Sequence, residues 1–157
     1  MNNNEVVIQK FYNAFAELDY KTMQNSYADN AIFNDPVFGI LQGNEIKAMW
    51  QMLCMNAKDF SLTFDSVNSD EEYGTCNWTA GYTFSKTGRR VVNKIKAHMR
   101  FQKEKIIEHT DEFDLYKWNR QALGFPGILL GWSGYLKNKI RVDARKQLEK
   151  FMARSSS

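Results

Sequence analysis

The chain is poor in the residues that build disulfide frameworks and metal centres: of 157 residues, two are Cys, two are His and two are Pro. Cys54 and Cys76 lack metal-ligand spacing and are expected as free apolar fillers. No apolar run approaches the roughly 20 residues that span a bilayer. The opening Met1-Asn2-Asn3-Asn4-Glu5 lacks the basic and apolar regions of a secretory leader, so a cytoplasmic location is expected. There is no phosphate loop, dinucleotide fingerprint or zinc-protease helix, and Gly131-Trp132-Ser133-Gly134 misses the spacing of a nucleophile elbow. His98 lies among Lys94, Lys96 and Arg100 on a polar face, opposite His109, which argues against a histidine metal centre. Neither a metal nor a cofactor is expected.

What is abundant is apolar and aromatic: 43% hydrophobic residues, with 11 Phe, 7 Tyr and 4 Trp, enough for one well-packed domain. The formal charge of +3 is unevenly placed. Lys137, Lys139, Arg141, Arg145, Lys146, Lys150 and Arg154 face only Asp143 and Glu149 in the last segment, so the rest of the chain is slightly acidic. With a net acidic body and no recognition motif, the pattern argues against nucleic acid as a partner.

Val7, Phe11, Ala14, Phe15 and Leu18 recur at helical spacing over residues 4 to 18. Asp19 is the expected N-cap of a short second helix to about Tyr27. Ala31 to Asn34 predicts a short strand stopped by Asp35-Pro36. A third helix follows Gly43, with Asn44 as cap and Ile46, Met49, Trp50 and Leu53 as its buried stripe. From Phe60 the period becomes two: Phe60, Leu62 and Phe64 form one strand face, and Cys76, Trp78, Ala80, Tyr82 and Phe84 the next. Val91, Asn93, Ile95, Ala97, Met99 and Phe101 form a third face, and Ile107, His109, Asp111, Phe113 and Leu115 a fourth. Helices followed by hairpin-linked strands define an α+β class, with a bent antiparallel sheet wrapped around the N-terminal helices.

The fourth face is apolar at its ends and ionisable in its middle. His109 and Asp111, about 7 Å apart along the strand, form either a satisfied core pair that fixes register or a functional dyad. Asp35 before Pro36 reads as a turn-former on its own. The aromatics Phe11, Phe15, Trp50, Trp78, Tyr82 and Phe113 fit either a core or the wall of an apolar pocket.

The segment Tyr27-Ala28-Asp29-Asn30-Ala31-Ile32-Phe33-Asn34-Asp35-Pro36-Val37-Phe38-Gly39, Gly43 at the third helix, and the strand Ile106-Ile107-Glu108-His109-Thr110-Asp111 resemble the nuclear transport factor 2-like superfamily, in its SnoaL-like and ketosteroid isomerase-like branch. The resemblance covers about residues 4 to 116. It implies a cone-shaped (cystatin-like) fold with a deep pocket, and a homodimer through the outer sheet face. It also puts Asp35 where the isomerase has its proton-shuttling carboxylate. The isomerase's two oxyanion donors correspond to Phe11 and Ala97, neither of which can donate, so steroid isomerase activity is not expected. Tyr12, next to Phe11, is expected to face elsewhere. The polyketide cyclases of the branch use an aspartate and a histidine, which His109 and Asp111 match. Two readings follow: an acid/base enzyme (isomerase, cyclase or aldol-type) acting on a small apolar carbonyl compound through Asp35, His109 and Asp111, or a non-catalytic binder of an apolar ligand. The ligand would lie against Phe11, Phe15, Trp50, Trp78, Tyr82, Ala97 and Phe113.

Residues 1–118 are expected as the family domain and 119–157 as a helical extension. In the extension, Gln121 to Gly124 reads as a glycine-capped helix end and Phe125 to Trp132 as an apolar loop. Leu136, Ile140, Ala144, Leu148 and Phe151 then form a narrow apolar stripe on a basic helix. That stripe is expected to pack on the body or a partner subunit, with attachment to a membrane surface as the alternative.

Overall fold

The computed structural model describes residues 2–131 and 133–155; Trp132, and with it the near-elbow motif, lies outside the described residues. The chain opens with helix α1 (Asn3–Ala16), capped by the Asn2 side chain, which accepts from the Glu5 N–H. Its buried face is Ile8, Phe11, Tyr12, Ala14 and Phe15, with Val7 and Leu18 only half-buried. Helix α2 (Tyr20–Asn25) is capped by Asp19 as expected, its carboxylate accepting from the Thr22 N–H.

Strand β1 (Tyr27–Asp35) is longer than the expected four residues. It turns through Asp35-Pro36-Val37-Phe38 into β2 (Gly39–Gln42), which has no signature of its own in the sequence. Helix α3 (Asn44–Asn56) follows, and here the cap is Gly43 rather than Asn44. Gly43 has φ +53, and the Gln42 N–H is taken by the Glu45 side chain instead. Leu53, expected in the buried stripe, is 38% exposed; Met52 and Cys54 are buried.

Four strands complete the sheet: β3 (Ser61–Ser69), β4 (Tyr73–Phe84), β5 (Arg89–Gln102) and β6 (Lys105–Glu112). Their order is β2-β1-β6-β5-β4-β3. The sheet is antiparallel as expected except at one ladder, where β1 pairs parallel to β6, with Phe33 opposite His109. This pairing joins strands from opposite ends of the fold, so no local turn announces it. The ladder between β5 and β6 slips at Arg100 and Phe101. The slip puts Ile106 fully inside and leaves Ile107 half-buried, because a one-residue shift exchanges the two faces of a strand. Strand β6 ends at Glu112, so Leu115 belongs to the following helix rather than to the strand.

The sheet closes around α1 and α3. Phe11 meets Trp50 edge-on at 5.8 Å, Phe15 meets Trp50 at 5.1 Å, and Phe33 meets Trp50 at 5.8 Å. Cys54 and Cys76 are free and buried.

Beyond the sheet, helix α4 (Leu115–Leu123) runs through the expected boundary at residue 118. Its Leu115, Trp118 and Ala122 pack with Val91 into a second, smaller core. Residues expected as an apolar loop form helix α5 (Phe125–Leu130), with Pro126 in its first turn, where a missing N–H costs nothing. The last helix is α6 (Gly134–Ser155). Leu148 is buried in the main core, with Ala144, Phe151 and Met152 packed beside it, so the apolar stripe rests on the body of this same chain. Two arginines of α6 fix the turn after β1: Arg141 donates to the Pro36 carbonyl, and Arg145 to those of Phe38 and Ile40. Among the described residues, no helix is long and apolar enough to cross a membrane.

Candidate acid/base site

Strand β6 turns His109 and Asp111 inward, where they are 1% and 3% exposed. Their side chains meet directly, His109 Nε2 lying 2.8 Å from Asp111 Oδ1. On the other side of the ring, Nδ1 lies 2.7 Å from the hydroxyl of Tyr27, and Trp50 Nε1 donates to that hydroxyl at 2.9 Å. The proton positions follow from the inventory of donors. The indole can only donate, so the Tyr27 oxygen accepts there and sends its own proton to His109 Nδ1. The ring then carries its proton on Nε2 and donates it to Asp111 Oδ1, which gives every donor of the chain an acceptor. Phe11 and Phe33 contact the imidazole edge-on. His109 is thereby locked on both nitrogens.

Asp35 stands at the end of β1, on the same side of the sheet. Its Oδ1 accepts from the backbone N–H groups of Val37 at 3.0 Å and Phe38 at 2.6 Å. The expected turn-former is therefore present, and it uses a single oxygen: Oδ2 has no hydrogen bond among the described residues. Burial pushes the Asp35 carboxyl up to about 7; the charge of Asp111 adds to the rise, while the two N–H bonds and His109 oppose it. Half-buried Val37, Tyr82 and Phe113 surround this mouth, where the two cores meet. Tyr82 accepts from Trp118 Nε1 at 2.6 Å, and burial raises its own pKa.

The expected ligand-lining residues divide. Phe11, Phe15, Trp50 and Ala97 lie in the packed core, at 0%, 5%, 2% and 0% exposure, and their rings fill the space that a deep pocket would need. Tyr82 and Phe113 stand at the mouth. A cleft of about 1040 Å³ lies outside the interior of the cone. It crosses the outer sheet face past Asn77, Lys94, Lys96 and Thr110 and ends at Asp35, Phe113 and Arg141, with Trp78 and Asp111 contributing from between the outward residues. Asp35 and Tyr82 are both shifted and half-buried here, and among the described residues Asp35 is the one brought near neutrality.

Sequence reasoning missed three features. Tyr27, expected at the end of the second helix, instead opens β1 and orients His109 from there. Tyr12, expected to face elsewhere, does turn away from Phe11's position, toward Phe64 and Trp78, but it is fully buried. Burial and the nearby Asp111 charge hold its pKa well above the ordinary tyrosine value. The Tyr12 hydroxyl and Trp78 Nε1 are buried donors with no partner among the described residues. His98 is a surface residue, 3.0 Å from Glu112. Among the described residues, no three His, Cys, Asp or Glu side chains converge as metal ligands do.

With this geometry in view, the family is plain: the model of the SnoaL-like domain matches residues 8–109. The chain belongs to the SnoaL-like family. No curated protein matches it. Similar solved structures include a hypothetical protein of ketosteroid isomerase-like fold from Catenulispora acidiphila, in complex with trimethylamine (15% identity, 77% of this chain and 94% of that one, TM-score 0.67). A nuclear transport factor 2-like protein of unknown function from Burkholderia pseudomallei is 19% identical over 78% of this chain and 98% of its own (TM-score 0.67). An epoxide hydrolase of M. tuberculosis is 15% identical over 82% and 96% (TM-score 0.66). At these identities the likeness is one of fold.

Proposed function

We propose that this SnoaL-like protein is an acid/base enzyme acting on a small apolar carbonyl compound, with Asp35 as the proton-transferring group. The observation that carries the reading is an aspartic acid with one fixed oxygen, one unbonded oxygen and a pKa near neutrality, set beside half-buried Val37, Tyr82 and Phe113. Such a group is half-protonated at neutral pH, so it takes a proton from carbon and returns it without a large penalty in either direction. His109 and Asp111 act behind it. With both ring nitrogens occupied, the imidazole holds Asp111 in place, and the Asp111 charge helps keep Asp35 protonated.

The alternative, a non-catalytic binder of an apolar ligand, draws on the half-buried Val37, Tyr82 and Phe113 at the same mouth. The two are separated by the exchange of α-protons of simple apolar ketones in deuterated water, followed by NMR. Catalysed exchange that rises with pH through about 7, and is lost in Asp35→Asn, supports the enzyme. Ligand binding with no exchange in the wild type leaves the binder.

A further inference from the structure

The α4–α5 hairpin presents an apolar tip that the acid/base reading does not use. Phe125 and Ile128, three residues apart on one face of α5, are 70% and 50% exposed, and Tyr135 in the first turn of α6 is 74% exposed. This exposure is built in by close packing. A side chain at Gly127 would collide with the Asn119 carbonyl, Asn119 Nδ2 donates to the Gly131 carbonyl at 3.0 Å, and the Tyr116 hydroxyl donates to the Ile128 carbonyl at 3.2 Å. Helix α5 is therefore pinned against α4 with Phe125 and Ile128 turned out.

The charges nearest the tip along the chain have one sign. Between Arg120 and Lys137 the sequence holds no charged residue, and from Leu115 to Arg141 it holds no acid. Lys117, Arg120, Lys137 and Lys139 flank the tip, all exposed, and among the described residues none of them takes part in an ion pair. Two copies meeting tip to tip would bring like charges together. A polyanion read through its phosphates alone would leave the apolar residues unused. Apolar side chains ringed by cations complement an anionic lipid surface, where the rings and aliphatic chains enter the acyl boundary and the lysines meet the headgroups.

We propose that the α4–α5 hairpin docks on anionic phospholipid bilayers through Phe125, Ile128 and Tyr135, with Lys117, Arg120, Lys137 and Lys139 on the headgroups. The contact surface differs from the α6 stripe considered from the sequence, which is occupied by Leu148 and its neighbours in the core. It lies beside the mouth, since Trp118 of α4 bonds Tyr82. The inference does not depend on the acid/base reading.

The test is co-sedimentation of the full chain with vesicles of phosphatidylcholine alone or mixed with phosphatidylserine, at low and high salt. Binding is expected only to the mixed vesicles and is expected to fall with salt. The pair Phe125→Ser and Ile128→Ser should weaken it about tenfold or more. Each of Lys137→Gln and Lys139→Gln should weaken it about fivefold. Because all four positions are exposed, unchanged melting temperatures certify the fold. No binding to the mixed vesicles overturns the proposal, as does equal binding by the serine variant. A wild type that self-associates in light scattering, loses this in the serine variant and ignores vesicles assigns the tip to a second copy instead.

Discussion

The two carboxylates of this site, Asp111 and Asp35, lie on the same side of one sheet and have opposite surroundings. Asp111 is 3% exposed and bonded to a histidine that is itself fixed by Tyr27 and Trp50. Asp35 sits at the mouth, with one oxygen tied to a turn and the other unbonded. A carboxylate paired with a histidine that is bonded on both ring nitrogens is held in one position, which suits support. A partly desolvated group with an unused oxygen changes state near neutrality, which suits proton transfer. The contrast divides the labour between two residues that the sequence could only offer as equals.

The comparison breaks most sharply in activity. Asp35→Asn should lower α-proton exchange by about a hundredfold to ten-thousandfold, as read by NMR, while the protein still folds, because an amide oxygen can accept the same two N–H bonds. Asp111→Ala should act first on stability, because it strands His109 without its partner; a loss of about 3 to 5 kcal/mol is expected in chemical denaturation. If Asp111→Ala melts like the wild type, the dyad is not the support described here.

The next effect depends on pH. The folded chain holds the Asp35 proton more tightly than the unfolded chain, whose aspartates titrate near the usual value of about 4. Between about pH 4 and the folded value of about 7 the native state binds more protons, so stability falls as pH rises through that window. Asp35→Asn removes this loss. Its stability relative to wild type should therefore grow by about 2 to 4 kcal/mol between pH 4 and pH 8, measured by urea denaturation at the two pH values. A difference that does not change with pH would mean the carboxyl is not desolvated. The smallest effect is expected at Tyr27→Phe, about 1 to 2 kcal/mol in the same denaturation assay, for the bonds lost to His109 and Trp50. A similar exchange rate in Tyr27→Phe would agree with a role in bracing rather than in proton transfer.

Much of this was legible where the signal is local. Strands β4 and β5 alternate apolar and polar residues, and their observed burial follows that alternation. His109 and Asp111 stood out as polar residues on an apolar face. What escaped is non-local. The parallel pairing of β1 with β6, the Tyr27 bond to His109 and the arginine bonds from α6 to the turn after β1 all join distant parts of the chain. The slip at Arg100 and Phe101 exchanged Ile107 for Ile106, since alternation alone does not register one displaced residue. The aromatics were ambiguous for a different reason. Whether Phe11, Phe15 and Trp50 line a pocket or fill it depends on how closely α1 and α3 approach the sheet, and they approach closely enough to fill it.

The most direct test of the division between the two carboxylates is the titration of Asp35 itself, followed through its side-chain carboxyl carbon by NMR and assigned by comparison with Asp35→Asn. The account predicts a midpoint of about 7; a midpoint near the ordinary aspartate value of about 4 would contradict it.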